Sequence, residues 1–116
     1  MLLIWYPKCS TCQKARKFLE ERGAVFQTRD IREERPTAAE VKAWQARSGL
    51  PLKRFFNTSG LQYKALGLKD KLPNMSEAEQ LELLGSDGML VRRPILLNGD
   101  TVLVGFRQAE WETALG

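Results

Sequence analysis

The only two cysteines of the chain, Cys9 and Cys12, lie three positions apart in the segment Pro7-Lys8-Cys9-Ser10-Thr11-Cys12. A disulfide between them would close too small a loop to restrict the unfolded chain much, so this spacing is typical of redox chemistry rather than of structural bracing. We predict that Cys9 is the nucleophile and that Cys12 resolves its adducts by forming an intramolecular disulfide. The alternative is that Cys12 is a small core residue and that an outside thiol resolves the adducts.

A metal site is the other chemistry that paired cysteines supply. The chain contains no histidine, which excludes Cys–His nucleophile pairs and zinc sites that need imidazole ligands. Two cysteines alone do not complete a four-ligand zinc shell within one chain, and only a site shared across a dimer would do so. We expect no bound metal or cofactor, and we expect the chain to act as a monomer.

The elements around Cys9 favour an ionised thiol. The run Leu2-Leu3-Ile4-Trp5-Tyr6 is apolar enough for a buried strand, and the residues after the second cysteine follow a helical pattern to about Arg22. Cys9 therefore lies where a strand passes into a helix, and the free N–H groups and positive dipole end of a helix N-terminus favour a thiolate. The backbone N–H groups of Ser10 and Thr11 are placed to bind an oxyanion beside the sulfur.

Strand patterns occur at both ends of the chain. At the start, the apolar run, the helix and a loosely alternating run over residues 25–31 form a βαβ unit, whose two strands run parallel. Near the other end, Asn98-Gly99 separates the apolar runs 94–97 and 101–104. An Asn-Gly pair between apolar runs is the strongest local indication of an antiparallel hairpin.

Residues 33–88 are predicted to form a block of helices between these two halves. Two capping boxes begin helices within the block, and Gly85 is expected to end the second of these helices. After the hairpin, residues 108–115 form a closing helix with Trp111, Ala114 and Leu115 on its apolar side. The capping boxes pair Thr37 with Glu40 and Ser76 with Glu79.

The order βαβ, helical block, ββα predicts an α/β domain of the thioredoxin-like fold, with a mixed four-stranded sheet and a helical insertion at about residues 33–88. We expect one domain spanning residues 1–116. A CxxC pair at the start of the first helix is where such domains hold their redox centre. In this fold a cis-proline at the head of a strand lies against the active cysteine, and Pro94 is the candidate.

Two arginines are candidates for the same site. Arg93 immediately precedes Pro94 and is therefore expected beside Cys9, where a guanidinium binds an oxyanion bidentately or stabilises the thiolate. Arg107 follows Gly105 and Phe106 and is a second candidate on spacing alone. The alternative for both is an ordinary surface arginine.

The charge of the chain excludes some partners. The 18 lysines and arginines are scattered among 14 acidic residues, with a formal net charge of +4 and no basic block. This distribution indicates a solvated surface rather than a nucleic-acid patch. The N-terminal apolar run is too short for a secretory signal, and no run is long enough to span a membrane. We expect a cytoplasmic protein, in which a CxxC pair is catalytic, redox-sensing or metal-binding.

Over essentially its full length the sequence resembles the arsenate reductase family of the glutaredoxin-coupled type, together with the Spx-like regulator branch of that family. The resemblance is carried by the cysteine loop Tyr6-Pro7-Lys8-Cys9-Ser10-Thr11-Cys12 and by three further segments. These are Phe55-Phe56-Asn57-Thr58-Ser59-Gly60-Leu61-Gln62-Tyr63-Lys64, Asp87-Gly88-Met89-Leu90-Val91-Arg92-Arg93-Pro94-Ile95 and Val104-Gly105-Phe106-Arg107.

The resemblance implies roles for particular positions. Cys9 matches the attacking cysteine, and Arg93 and Arg107 match two arginines that hold the oxyanion in arsenate reductases. Three positions depart from the reductase pattern. Asn57 stands where the family has a third arginine, Trp5 stands where reductases have a histidine, and Cys12 stands where reductases have a serine, as in the Spx-like branch.

Two functions follow from the resemblance. The first is an enzyme that reduces a small anionic or disulfide substrate and is itself reduced by an external thiol reductant, either glutathione with glutaredoxin or thioredoxin. The second is a redox-sensing regulator, in which the Cys9–Cys12 disulfide changes affinity for the α subunit of RNA polymerase. Because Cys12 is present and the third arginine is absent, a general dithiol chemistry is favoured over arsenate reduction.

Overall fold

The computed structural model describes residues 1–116 and contains one sheet of four short strands. The strands are β1 (Leu2–Trp5), β2 (Gln27–Asp30), β3 (Ile95–Asn98) and β4 (Thr101–Val104), in the spatial order β2-β1-β3-β4. β1 pairs in parallel with β2 and antiparallel with β3, and β3 pairs antiparallel with β4. The mixed four-stranded sheet predicted for a thioredoxin-like fold is confirmed.

Six α-helices accompany the sheet, and none of them is long and apolar enough to cross a membrane. Four of the six lie between β2 and β3, so the predicted helical insertion is confirmed. The helices are α1 (Ser10–Glu21), α2 (Ala38–Ser48), α3 (Leu61–Ala65), α4 (Leu68–Lys71), α5 (Glu77–Ser86) and α6 (Gln108–Leu115), and short 3₁₀ turns cover Leu52–Phe55, Leu72–Asn74 and Gly88–Leu90.

Both predicted capping boxes form. At the start of α2, the Glu40 N–H donates to Thr37 Oγ1 at 3.1 Å and the Thr37 N–H donates to a Glu40 carboxylate oxygen at 3.1 Å. Ser76 and Glu79 repeat this arrangement at the start of α5. Each box satisfies two backbone N–H groups that a helix start otherwise leaves unpaired.

The sheet separates two apolar layers because alternate residues of each strand point to opposite faces. One layer contains Ile4 and Ile95 and packs against the helical insertion, including Val41 of α2. The opposite layer contains Leu3, Leu96 and Leu103 together with residues of α1 and α6. This second layer fixes α1 against the sheet, so the start of α1 lies at the end of β1. The residues that α1 and α6 contribute are Ala15, Leu19 and Trp111.

Two details of the sequence prediction are wrong. α5 does not end at Gly85 but continues to Ser86. A Cβ atom on Gly85 would lie 2.8 Å from the backbone nitrogen of Ala38, so this glycine permits the close approach of α5 to α2 rather than ending a helix. Ala114 is exposed, and the residues of α6 that pack against the sheet are the buried Trp111 and the partly buried Leu115, without Ala114.

Candidate active site

Cys9 occupies the junction between β1 and α1. It is the N-cap residue of α1, its backbone N–H donates to the carbonyl of Tyr6 at 2.9 Å, and its carbonyl accepts the N–H of Gln13 at 3.0 Å. The Gln13 side chain donates to the Pro7 carbonyl at 2.7 Å and so holds the loop against the helix. No acidic residue occupies the first turn of α1, so no carboxylate offsets the positive end of the helix dipole at the half-buried Cys9 side chain.

Cys12 lies one turn further into the protein and is fully buried. Both cysteines are free thiols, and the backbone N–H of Tyr6 donates to Cys12 Sγ at 3.4 Å. The two thiols therefore differ in access: one is partly open to solvent and the other is closed off behind it.

The two thiols also differ in acidity. Burial opposes ionisation of Cys9, but the backbone N–H and thiol of Cys12 and the guanidinium of Arg93 outweigh it, so the pKa of Cys9 lies below its ordinary value. Burial raises the pKa of Cys12 to about 12, and the negative charge of Cys9 adds to the rise. At neutral pH Cys12 is thus a protonated donor to the more acidic Cys9.

A cavity of about 760 Å³ opens beside Cys9. Its walls come from the cysteine loop, from the start of α3 and the loop before it, and from the segment that leads into β3. Two backbone hydrogen bonds join the loop before α3 to the segment that leads into β3. The Arg92 N–H donates to the Phe55 carbonyl and the Asn57 N–H donates to the Leu90 carbonyl, both at 2.8 Å. Polar side chains of Asn57, Ser59 and Gln62 line one wall, and Leu61, Met89 and Phe106 supply apolar surface.

Arg93 lines the cavity with Cys9 and lies close enough to lower the pKa of that thiol. Its peptide bond to the buried Pro94 is cis. The guanidinium carbon lies 5.2 Å from the ring centre of Tyr6, and the buried Nη1 atom has no hydrogen-bond partner. Arg93 therefore brings a positive charge and an unused donor to the cavity that holds Cys9.

Only one of the three other predicted site residues, Ser10, Thr11 and Arg107, lines the cavity. Thr11 lines the cavity with Cys9, whereas Ser10 and Arg107 are exposed and do not line it. Arg107 stands immediately before α6, close enough for its charge to act on Arg92. The sequence prediction assigned no separate role to Arg92, although its position beside Arg93 in the Arg-Arg-Pro segment was the available indication. Ser59, Gln62 and Met89 were likewise not assigned to the site, and Asn57 was named only as the position where the family has a third arginine.

The cavity brings the thiol of Cys9 together with the positive charges of Arg92 and Arg93. No acidic side chain lines it, and no group of three or more thiol, imidazole or carboxylate side chains in the structure is arranged to hold a metal ion. Asn57 lies at the wall in the position where the resemblance implies an arginine, and Trp5 lies under the guanidinium of Arg16 at 4.7 Å rather than in the cavity. The site therefore combines one partly accessible thiol with two arginine side chains.

The chain is similar to known proteins over almost its whole length. The family model described as the ArsC family matches residues 4–114. The uncharacterized protein YusI of Bacillus subtilis is 55% identical over 112 residues, which cover 97% of this chain and 95% of YusI. The global transcriptional regulator Spx of Enterococcus faecalis is 30% identical over 111 residues, covering 95% of this chain and 82% of Spx.

A solved structure shows the same fold. The crystal structure of an ArsC family related protein from Bacteroides fragilis matches with a TM-score of 0.93 at 52% identity, covering 97% of this chain and 94% of that chain. The match includes the sheet and the helical insertion, because almost the whole of both chains is superposed.

Proposed function

The chain belongs to the ArsC family, and on that premise we propose that it is a thiol-dependent oxidoreductase in which the Cys9 thiolate attacks the substrate. The observation that carries the proposal is that the two thiols have different environments. Cys9 opens onto a cationic cavity and has a lowered pKa, whereas the pKa of the buried Cys12 is raised to about 12. This contrast makes Cys9 the first thiol to attack and keeps Cys12 protonated, and so unreactive, until Cys9 has formed its adduct.

The first step is attack of the Cys9 thiolate on one sulfur of a small disulfide. A new bond forms between Cys9 and that sulfur, the substrate S–S bond breaks, and the other half of the substrate leaves as a thiolate. In this step Arg93 stabilises the negative charge of Cys9 before the attack, and its positive charge also favours the departing thiolate.

The second step is attack of Cys12 on the sulfur of Cys9. Once Cys9 is in a mixed disulfide it is neutral, which removes one of the influences that raise the pKa of Cys12. The Cys12 proton passes to the departing thiolate, a Cys9–Cys12 disulfide forms, and the second half of the substrate is released. The two electrons that the substrate has gained are restored by an external reductant, either glutathione with glutaredoxin or thioredoxin.

The substrate we propose is a small disulfide rather than arsenate. Arsenate carries its negative charge on oxygens around one centre, and holding it takes several donors at the sulfur. Here Arg93 lies at Cys9, Asn57 replaces the third arginine implied by the family, and Arg107 does not line the cavity. A disulfide needs only a thiolate, a cation near the leaving sulfur and a resolving thiol.

The second candidate function is redox-sensing regulation, which is favoured by the 30% identity to Spx. In that case the Cys9–Cys12 disulfide changes the surface around the cysteine loop and thereby affinity for the RNA polymerase α subunit. A pull-down of the α subunit with reduced and with oxidised protein tests this candidate. Binding that depends on the redox state supports it, and an absence of binding in both states excludes it.

An assay of the purified protein with small disulfides, with arsenate and with each reductant tests the enzymatic proposal. We expect disulfide turnover by the wild type, none by Cys9→Ser, and accumulation of a mixed disulfide on Cys9 in Cys12→Ser when reductant is withheld. Mass spectrometry of the intact protein identifies the adduct. The proposal fails if no reductant supports disulfide turnover, or if Cys9→Ser is as active as the wild type.

A further inference from the structure

Two arginines line the cavity and two more lie near one of them, and none of the four has an acidic partner. Arg92 and Arg93 line it, and Arg54 and Arg107 lie close enough to Arg92 for their charges to lower its pKa, together with burial as the larger cause. The three ion pairs of the structure are elsewhere and involve none of these residues. Like charges held together repel one another, so this arrangement is stabilised when an anion binds among them.

Arg92 is held in place by the fold rather than by an acidic partner. Its backbone N–H is paired with the Phe55 carbonyl, and its side chain runs against Gly105. Gly105 has a φ of +75°, and a Cβ atom there would lie 2.7 Å from Arg92 Nε. A glycine is thus required both by the backbone conformation and by the space that the guanidinium occupies. Arg92 Nε is buried and has no hydrogen-bond partner.

Arg92 and Arg93 therefore have different surroundings. Arg93 contacts Cys9 and stacks on Tyr6, so its charge is directed at the sulfur. Arg92 is not among the groups that shift the pKa of either cysteine, and its charged neighbours are Arg54 and Arg107. The cavity offers one cationic position at the reacting sulfur and a second one away from it.

Apolar surface lies in the same cavity. Met89 and Phe106 line it beside the arginines, and Leu61 at its edge is 86% exposed. An exposed leucine at the mouth of a polar cavity is covered when a ligand with hydrocarbon atoms enters.

We propose that Arg92, assisted by the charges of Arg54 and Arg107, forms a second anion site that selects low-molecular-weight disulfides with a carboxylate several bonds from the sulfur. The inference rests on the proposed function, because the sulfur of such a ligand must reach Cys9. The carboxylate pairs with Arg92, the disulfide lies at Cys9 and Arg93, and the hydrocarbon atoms between them cover the apolar surface.

A binding experiment tests this site without turnover. Cys9→Ser protein, which lacks the nucleophile, is titrated calorimetrically with dithiodipropionate, which carries two carboxylates, with neutral hydroxyethyl disulfide and with cationic cystamine. We expect the dianion to bind about tenfold more tightly than the neutral compound, as a charged hydrogen bond provides, and cystamine to bind most weakly. Equal affinity for all three would overturn the proposal.

Variants assign the preference to Arg92. In the same background, Arg92→Gln is expected to remove the tenfold preference, and Arg92→Lys, which keeps the charge, to retain part of it. Arg47→Gln removes one exposed arginine from the last turn of α2 and is expected to leave the preference unchanged. Thermal unfolding of each variant checks that the fold is intact. A preference that survives in folded Arg92→Gln contradicts the assignment.

Turnover separates this inference from the proposed function. With Cys9 present, the ratio of kcat/KM for dithiodipropionate to that for hydroxyethyl disulfide is expected to fall about tenfold in Arg92→Gln, mainly through KM. If both disulfides are turned over equally well by the wild type, the second anion site is wrong and the oxidoreductase stands. If neither is turned over but binding depends on Arg92, the anion site stands and the oxidoreductase is wrong.

Discussion

Two groups of arginines in this protein have opposite surroundings. Arg29, on β2, donates to both carboxylate oxygens of Glu40 at 2.7 and 2.9 Å and to the carbonyls of Glu34 and Arg35 at 2.9 and 3.2 Å. It also lies over the ring of Trp44. Every part of its guanidinium is used within the protein, and it joins β2 to the start of α2.

The arginines of the cavity use their guanidinium groups differently. Arg92 Nε and Arg93 Nη1 are buried without partners, and no carboxylate neutralises either side chain. A buried donor without a partner costs free energy in the isolated protein. Arg29 therefore uses its donors within the fold, whereas the arginines at the cavity keep buried donors that no group of the protein accepts.

The largest expected effect is a loss of stability when Arg29, the arginine paired with Glu40, is replaced. In Arg29→Gln the Glu40 carboxylate loses both charged hydrogen bonds, and we expect the free energy of unfolding to fall by about 2 kcal/mol, less than for a fully buried pair because Glu40 is 36% exposed. Urea denaturation followed by tryptophan fluorescence measures the change. The rate of Cys9 alkylation should stay at the wild-type value. If the variant lowered the alkylation rate as well as the free energy of unfolding, Arg29 could not be distinguished from the arginines of the cavity.

The reciprocal variant is Arg93→Gln. Loss of the nearby charge raises the pKa of Cys9 toward its ordinary value, so we expect alkylation by iodoacetamide at pH 7 to slow by roughly tenfold. The free energy of unfolding should fall by much less than in Arg29→Gln, because Arg93 has no carboxylate partner and its buried Nη1 atom makes no hydrogen bond. A loss of stability as large as that of Arg29→Gln would show that Arg93 is structural.

A smaller, pH-dependent effect is expected for Glu40→Gln. Arg29 is the main cause that lowers the pKa of Glu40 from its usual 4.5 to about 2. Between these values the unfolded chain binds more protons than the folded one, so the contribution is complete above pH 4.5 and is lost as pH falls toward 2. We expect the wild type to exceed the variant by about 1 kcal/mol at pH 7. Denaturation curves at pH 7, 4 and 2 should show the difference closing, and a constant difference would refute the ion-pair origin.

Local patterns in the sequence predicted much of the fold. The capping box of Thr37 and Glu40, the Asn98-Gly99 hairpin and the strand-to-helix junction at Cys9 each depend on residues within a few positions of one another. Such features form in the structure as predicted because neighbouring residues satisfy the backbone there. Gly85 was misinterpreted because its role depends on Ala38, which lies in another helix.

The candidate site was predicted less completely for the same reason. Cys9, Cys12 and Arg93 were predicted from the CxxC spacing and the Arg-Pro pair. The role of Arg92 depends on its pairing with the distant Phe55 and on the space left by Gly105. The exposed position of Arg107 depends on where α6 begins. Neither feature has a local pattern, so only the tertiary structure distinguishes the available arginines from the paired ones.

The central claim is that Cys9 is ionised under the influence of Arg93, and its alkylation rate across pH tests this most directly. The reduced wild-type protein is treated with iodoacetamide from pH 5 to 10, and the modified cysteine is identified by mass spectrometry. Because the thiolate is the reacting form, the rate rises with pH and levels off above the pKa of Cys9. We predict a half-maximal rate below the value of about 8.5 for free cysteine, and a midpoint at or above that value would contradict the account.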